Sequence, residues 1–235
     1  MCGSCGCQDP PASEPANLML ELAQPLLQRN SAQASALRQR FAAAALPVIN
    51  LLSAPGSGKT AVLEQLARLW PAPQRLGVVV ADLATDNDAR RLQAVGLQAV
   101  QVSTGQLCHL PAALLAAALD RLDLEALNLL VIENVGNLVC PALFDLGETL
   151  RVALLAVGEG EDKPLKYPGL FASADLVLIN KIDLADAVGF DRSLTYRHLR
   201  QVAPEAKVLE ISAVSGAGFD ALTDALSALV GVPAR

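Results

Sequence analysis

A glycine-rich turn between an apolar run and a helical stretch constrains the fold of this chain more than any other feature. The apolar run spans residues 47–52, and it is followed by the sequence SAPGSGKT at residues 53–60. A strand that leads into such a turn and then into a helix N-terminus directs backbone N–H groups at phosphate oxygens. The alternative is an ordinary turn with a surface lysine, but the flanking strand and helix favour a phosphate-binding loop.

The loop predicts a nucleotide site and a bound divalent cation. Lys59 would reach the β- and γ-phosphates as a catalytic residue, and the Thr60 hydroxyl would ligate Mg²⁺. The usual pattern has a glycine where this chain has Ser53. We assign nucleotide contacts in this loop to Pro55, Gly56, Ser57, Gly58, Lys59, Thr60 and Ala61.

Composition and apolar runs predict an α/β fold. Hydrophobic residues make up 52% of the 235 residues and aromatic residues only 3%. Continuous apolar runs, unlike alternating ones, indicate strands that are covered on both faces. We expect a P-loop NTPase fold: a mostly parallel, doubly wound sheet flanked by helices, with ligands at the carboxyl ends of the strands. The predicted strands are Val48–Leu52, Gly77–Ala81, Ala99–Ser103, Leu129–Ile132, Val152–Val157, Leu176–Ile179 and Val208–Ile211. The predicted helices are Asn17–Ala45, Lys59–Trp70, Asp88–Val95, Pro111–Leu122, Asp191–Val202 and Gly218–Val230.

The chain divides into a tail and one domain. Residues 1–16 are rich in Gly, Pro and Ser, which predicts a flexible, cysteine-containing tail. We expect residues 17–235 to form a GTPase domain that starts with a helix. A net charge of −6 argues against a nucleic-acid partner. We expect no membrane segment and a cytoplasmic protein, in which cysteines serve as metal ligands or reactive thiols.

The residues after the sixth predicted strand indicate guanine recognition. Asn180, Lys181 and Asp183 form the pattern Asn-Lys-x-Asp. A carboxylate there accepts hydrogen bonds from N1–H and the N2 amine of guanine, and adenine lacks that pair of donors. Ser212 and Ala213, after the last strand, would add backbone contacts to the base.

Acidic residues at two other strand ends indicate catalytic and switching roles. Asp82 and Asp88 follow the second strand, and we assign both to Mg²⁺ and water positioning. A calcium loop would require a glycine and a closing glutamate that are missing here, and the alternative is solvated carboxylates that cap a helix. Glu133 ends the fourth strand and would contact Mg²⁺, and the Gly136 N–H would bind the γ-phosphate. Loss of that phosphate would release the loop.

The five cysteines form two groups. Cys2, Cys5 and Cys7 begin the chain. With the α-amine they would suit planar Ni(II) or tetrahedral Zn(II), and an incidental cysteine-rich tail is the alternative.

The second group, Cys108, His109 and Cys140, supplies three ligands from two loops. It predicts a site with an open position or one that is completed across a dimer. The alternative is two buried cysteines that pack as small hydrophobes. His198, within a predicted helix, is interpreted as a surface residue.

Three further sequence runs resemble the HypB-type nickel-incorporation GTPases, which are accessory proteins of [NiFe]-hydrogenase maturation. These runs are IENVGNLVCP at 132–141, GEGEDKPLKYP at 158–168 and TGQLCH at 104–109, together with the cysteines of residues 1–7. The resemblance covers residues 30–235 and accounts for Ser53, since serine is usual there in this family.

The resemblance implies a GTP-dependent homodimer with Mg²⁺, of the SIMIBI class of P-loop GTPases. It implies tight Ni²⁺ binding by Cys2, Cys5 and Cys7, and a second Ni²⁺ or Zn²⁺ site at Cys108, His109 and Cys140 near the dimer interface. It also implies transfer of nickel with a HypA-type metallochaperone to the hydrogenase large subunit. With only two histidines, the chain lacks the histidine-rich storage stretch of some relatives.

Three other functions remain open at this point. A urease-type nickel accessory GTPase would have Cys-Pro-His where this chain has adjacent Cys108 and His109. A nickel or zinc sequestration module would bind metal with little GTPase activity. A GTPase that acts on cobalamin enzymes would not account for the cysteines.

Overall fold

The computed structural model describes residues 14–70 and 75–229, so Cys2, Cys5, Cys7 and residues 1–13 of the predicted tail lie outside the described residues, while residues 14–16 begin the first helix. Its centre is a seven-stranded, all-parallel sheet in the order β3-β2-β4-β1-β5-β6-β7. The strands are β1 Val48–Ser53, β2 Leu76–Asp82, β3 Gln98–Ser103, β4 Leu129–Glu133, β5 Leu150–Ala156, β6 Leu176–Asn180 and β7 Lys207–Glu210. The predicted fold class is confirmed, and each predicted strand lies within two residues of its observed bounds.

Helices cover both faces of this sheet. Within the described residues they are α1 Glu14–Ala43, α2 Lys59–Leu69, α3 Asn87–Ala94, α4 Ala112–Leu119, α5 Cys140–Leu143, α6 Lys163–Lys166, α7 Pro168–Ala172, α8 Ala185–Val188, α9 Arg192–Val202 and α10 Phe219–Leu229. The sequence analysis missed α5 to α8, because elements of four or five residues are too short to show a helical period. None of the helices described is long and apolar enough to cross a membrane.

The core follows from the alternation of side chains along each strand. On β1, Ile49 and Leu51 pack with α2 and α10, whereas Val48 packs on the opposite face with α1 and α4. Leu52 joins a third cluster with α7 and α9. Each central strand is therefore buried on both sides, as its continuous apolar sequence predicts.

The strand order places the sequence motifs at one edge of the sheet. β1 lies between β4 and β5, and its Leu51 pairs with Glu133 at the end of β4. On the other side of β4, Val80 of β2 pairs with the same Glu133, so Asp82 lies two residues beyond that pair. The phosphate loop and the acidic strand ends thus meet where the strand order reverses, which is the usual ligand position in such sheets.

Candidate nucleotide and metal sites

The phosphate loop has the backbone geometry that its glycines predict. Gly56 has φ +75° and Gly58 has φ +99°, and Gly58 immediately precedes α2. A Cβ atom on Gly58 would lie 2.7 Å from Asn180 Nδ2, so both the backbone conformation and the space require glycine. The loop therefore brings its backbone and the start of α2 close to the open edge of the sheet.

Lys59 is buried in this loop, with 9% of the residue exposed. Its Nζ donates a hydrogen bond to Ser53 Oγ at 3.1 Å, so the serine that replaces the usual first glycine supplies an acceptor for the lysine. Burial lowers the pKa of Lys59, and the nearby carboxylates of Glu133 and Asp88 oppose that shift. A buried ammonium held by one neutral hydroxyl is well suited to pair with an incoming phosphate.

Glu133 faces the same space and fits an oxygen-ligated cation. Its Oε1 accepts a hydrogen bond from Thr60 Oγ1 at 2.8 Å, and its buried Oε2 has no hydrogen-bond partner among the described residues. Burial raises the pKa of Glu133 to about 7, although the charge of Lys59 acts to lower it. Mg²⁺ prefers such carboxylate and hydroxyl oxygens, and it would satisfy the orphaned oxygen.

Glu133→Gln is expected to remove a pH-dependent loss of stability from the Mg²⁺-free protein. Since burial raises the folded-state pKa of Glu133 from 4.5 to about 7, folding favours the neutral acid. The protonated Glu133 therefore adds to the free energy of unfolding. This contribution is complete below the pKa of the unfolded state and is lost as the pH rises through the pKa of the folded state, by up to about 3 kcal/mol. Urea unfolding in EDTA at about pH 5 and about pH 8 measures this loss.

The exposed Glu205 provides the matched control, Glu205→Gln, which should retain the wild-type pH dependence. An equal loss of unfolding free energy in wild type and Glu133→Gln would show that the buried carboxyl is not its source.

The remaining predicted catalytic acids line an open groove of about 370 Å³ with the phosphate loop. Burial opposes ionisation of Asp82, but hydrogen bonds from the backbone N–H groups of Thr85 and Ala84 outweigh it and lower the pKa of this carboxyl. Asp88 also lines the groove, where Arg91 donates to it at 3.2 Å.

Gly136 joins the predicted sensing loop to the phosphate loop. A Cβ atom at this position would lie 2.9 Å from Pro55 Cα and 3.1 Å from Pro55 N. Both of these are backbone atoms that cannot rotate away, so only glycine permits this approach. The segment after Glu133 therefore packs directly on the loop that would hold the phosphates.

The predicted base-binding residues are tied to the phosphate loop and to each other. Asn180 Nδ2 donates to the carbonyl of Ser57 at 2.9 Å, and Lys181 Nζ donates to that of Gly56 at 2.8 Å. Ser212 Oγ donates to Asp183 Oδ1 at 2.5 Å and orients that carboxylate. Asp183 is exposed, so a bound base would itself have to desolvate it.

Ala213 completes this group, since its N–H donates to Asn180 Oδ1 at 3.3 Å. The structure thus brings together the residues after β6, the residues after β7 and the phosphate loop. Whether they contact a guanine stays a prediction.

Two of the three predicted soft ligands in the domain come together. Cys108 and Cys140 are free thiols, and burial together with the neighbouring Cys140 thiol raises the pKa of Cys108. His109 instead stacks on the Phe144 ring at a centroid distance of 3.6 Å, and its Nδ1 lies 3.9 Å from Cys108 Sγ. Burial lowers the pKa of His109 and favours the neutral imidazole that a metal would need.

Within residues 14–70 and 75–229, no three side chains of His, Cys, Asp or Glu are arranged to hold a metal ion. One copy of the domain thus presents a thiol pair, with His109 nearby but turned onto Phe144. That arrangement needs a rotation of the imidazole or ligands from elsewhere to complete a site.

Comparison with known proteins identifies the family. The sequence model described as "CobW/HypB/UreG, nucleotide-binding domain" matches residues 47–210. Hydrogenase maturation factor HypB of Azotobacter vinelandii is 50% identical over 201 residues, which cover 86% of this chain and 66% of that protein. The chain belongs to the HypB family. It spans about two thirds of the length of that relative.

Other HypB proteins match in sequence and in structure. Hydrogenase/urease maturation factor HypB of Helicobacter pylori is 40% identical over 197 residues, covering 82% of this chain and 81% of that protein. The crystal structure of Helicobacter pylori HypB in complex with nickel matches at a TM-score of 0.83 and 38% identity, covering 86% of this chain and 95% of that one. HypB from Archaeoglobus fulgidus matches at a TM-score of 0.80 and 36% identity, covering 87% and 100%.

The HypB-like run at 158–168 contains site residues to which the sequence analysis gave no role. Ser57 Oγ donates to Glu159 Oε1 at 2.5 Å, and the Ala156 N–H donates to the same oxygen at 3.0 Å. Glu159 thereby fixes the phosphate loop against the end of β5. An acid shortly after a strand was a usable signal, because Asp82 and Glu133 also lie at strand ends.

The interpretation of His198 as a surface residue is wrong. Its Nδ1 lies 2.7 Å from the carbonyl oxygen of Glu161, and the side chain is half-buried. The imidazole therefore ties α9 to the same 158–168 run. The residue pattern of one helix does not show contacts with a segment that is distant in sequence, such as the one that contains Glu161.

Proposed function

We propose that this chain is a GTP-hydrolysing nickel metallochaperone that helps to insert Ni(II) into the [NiFe]-hydrogenase large subunit. One observation carries the proposal: the segment 133–140 runs from a buried carboxyl at the phosphate groove to the Cys140 thiol, which neighbours Cys108. The relatives named as hydrogenase maturation factors and the nickel complex of a HypB structure support the same function.

For hydrolysis, Lys59 and the loop amides would stabilise the charge that develops on the transferred phosphoryl group. Thr60, Asp82 and Glu133 would hold Mg²⁺, which neutralises charge on the β- and γ-phosphate oxygens when bound. Among the described groove residues, Asp88 is paired with Arg91 and Glu133 faces Thr60. Neither acid is placed as a strong general base, so we expect slow turnover.

For switching, the Gly136 N–H would bind the γ-phosphate while the loop packs on Pro55. Loss of that phosphate would release the loop and shift Cys140, which begins α5. Nucleotide state would therefore change the geometry of the thiol pair and, with it, the hold on nickel.

A homodimer would complete the metal site. Exposed apolar residues lie close to the two cysteines in sequence: Leu107 is 44% exposed, Val139 55% and Leu143 63%. Such a patch beside an incomplete ligand set is suited to a second copy of this chain. Zn²⁺ could bind to the same ligands as Ni²⁺. A HypA-type metallochaperone would act as partner. We place the protein in the cytoplasm, because that compartment keeps thiols reduced.

Metal titration tests this function in the full chain. Ni(II) and Zn(II) are added to apoprotein with GDP and then with a non-hydrolysable GTP analogue. Replacing Cys2, Cys5 and Cys7 with serine is expected to abolish the tight site and to leave GTP hydrolysis within about twofold of wild type. Cys140→Ser is expected to abolish the effect of nucleotide on the weaker site.

Failure to hydrolyse GTP with intact nickel binding would instead favour the sequestration module.

A urease accessory role is the second candidate function, because one similar protein is named a hydrogenase/urease maturation factor. Transfer of nickel to apo-urease rather than to apo-hydrogenase would establish it.

A further inference from the structure

Two asparagines of the sensing loop, Asn134 and Asn137, have no part in the function described so far. Asn134 follows Glu133 directly and is 1% exposed. Its Oδ1 accepts hydrogen bonds from the backbone N–H groups of Leu110 at 3.2 Å and Val135 at 2.9 Å. The loop that would sense phosphate is therefore bonded to the segment just after the Cys108 thiol.

Asn137 spans both thiol-bearing segments with one side-chain amide. Its Nδ2 donates to the carbonyl of Cys108 at 3.2 Å, and its Oδ1 accepts from the N–H of Val139 at 2.9 Å. Val139 immediately precedes Cys140. A planar amide with both ends bonded sets the distance between the two segments.

A buried polar network supports this loop from behind. Asn134 Nδ2 donates to Asn50 Oδ1 at 3.2 Å, and Asn50 Nδ2 donates to Glu148 Oε1 at 3.1 Å. Arg151 pairs with Glu148 at 2.6 Å and also donates to the carbonyl of Ala142, within α5, at 3.0 Å. Asn50 and Asn134 are buried, so breaking their bonds would leave polar groups without partners, and the connected groups tend to move as a unit.

We propose that Asn137 is a positioning residue that transmits movement of the sensing loop to the Cys108–Cys140 thiol pair. Gly136, its neighbour, packs on Pro55 of the phosphate loop. When that contact is released, Asn137 carries with it the Cys108 carbonyl and the N–H before Cys140. The two thiols then change position together. The inference deepens the proposed function and rests on it.

The test compares nickel affinities in two nucleotide states. The parent is the full chain with Cys2, Cys5 and Cys7 replaced by serine, so that Ni(II) reports on the remaining thiols. Thiolate-to-nickel absorbance is titrated with GDP and with a non-hydrolysable GTP analogue. We expect about a tenfold difference in affinity between the two states in the parent, a typical size for coupling between sites.

Asn137→Ala is expected to bring that ratio to within about twofold of unity, with GTP affinity and hydrolysis unchanged. Asn137→Asp is the second variant, because it keeps the acceptor for Val139 but places a carboxylate oxygen against the Cys108 carbonyl. Asn137→Asp should also bring the ratio of nickel affinities in the two nucleotide states close to one. Thermal unfolding verifies that both variants fold.

The matched control is Asn128→Ala. Asn128 is exposed, and its Oδ1 accepts a hydrogen bond from the Arg75 N–H before β2. It should keep the parental ratio. A folded Asn137→Ala that keeps the tenfold ratio would overturn the inference and leave the proposed function intact. A parent that binds nickel equally well in both nucleotide states would also overturn the inference. A parent that hydrolyses no GTP would overturn the proposed function itself.

Discussion

Lys59→Ala is expected to lower the rate of GTP hydrolysis by about 1000-fold, the upper range for loss of one group that stabilises transition-state charge. The ammonium is buried and has one neutral hydroxyl partner, Ser53 Oγ. No other lysine or arginine among the described residues lies within the loop that would hold the β- and γ-phosphates. Phosphate release under single-turnover conditions measures the effect on chemistry separately from binding.

Lys207→Ala serves as its control, because Lys207 is an exposed lysine at the start of β7. That variant should hydrolyse GTP at the wild-type rate. If Lys59→Ala kept hydrolysis within about tenfold of wild type, the loop would not be the catalytic phosphate site proposed here.

Asp183→Asn is expected to shift base preference from guanine to xanthine by about 1000-fold, since hydrogen-bonded sites strongly reject analogues that leave them unpaired. The carboxylate would accept from two guanine donors, N1–H and the N2 amine. An amide presents one acceptor and one donor, and these match N1–H and the 2-carbonyl of xanthine. Ser212 Oγ already orients Asp183, so the substitution changes its chemistry with little change in position.

Competitive binding of GTP and XTP measures the preference. The control is Asp186→Asn, an exposed acid in α8 three residues further along. It should keep guanine preference. Unaltered GTP affinity in Asp183→Asn would mean that this carboxylate does not read the base.

The local sequence was sufficient for the phosphate loop and for the strands. Glycines at 56 and 58 predicted the left-handed turn that the structure shows. The buried strands were visible as continuous apolar runs because side chains alternate faces and both faces are covered. These features depend on backbone sterics and on local burial, so neighbouring residues are enough to specify them.

Contacts between distant segments were beyond sequence reasoning. The buried pairing of Glu133 with Thr60 joins residues 73 positions apart and depends on how β1 and β4 lie side by side. The stacking of His109 on Phe144 likewise joins residues that are distant in sequence, while His109 Nδ1 stays 3.9 Å from Cys108 Sγ. Each of these contacts exists only in the tertiary structure.

The chain's own sequence therefore specified which chemical groups stand at the strand ends and predicted a phosphate site there. The folded sheet established which of those groups meet, namely Glu133 with Thr60, Gly136 with Pro55 and Asn137 with Cys108. The physical reason is that hydrogen bonds and close packing act over a few ångströms. Residues far apart in the chain come within that range only after the parallel strands have aligned.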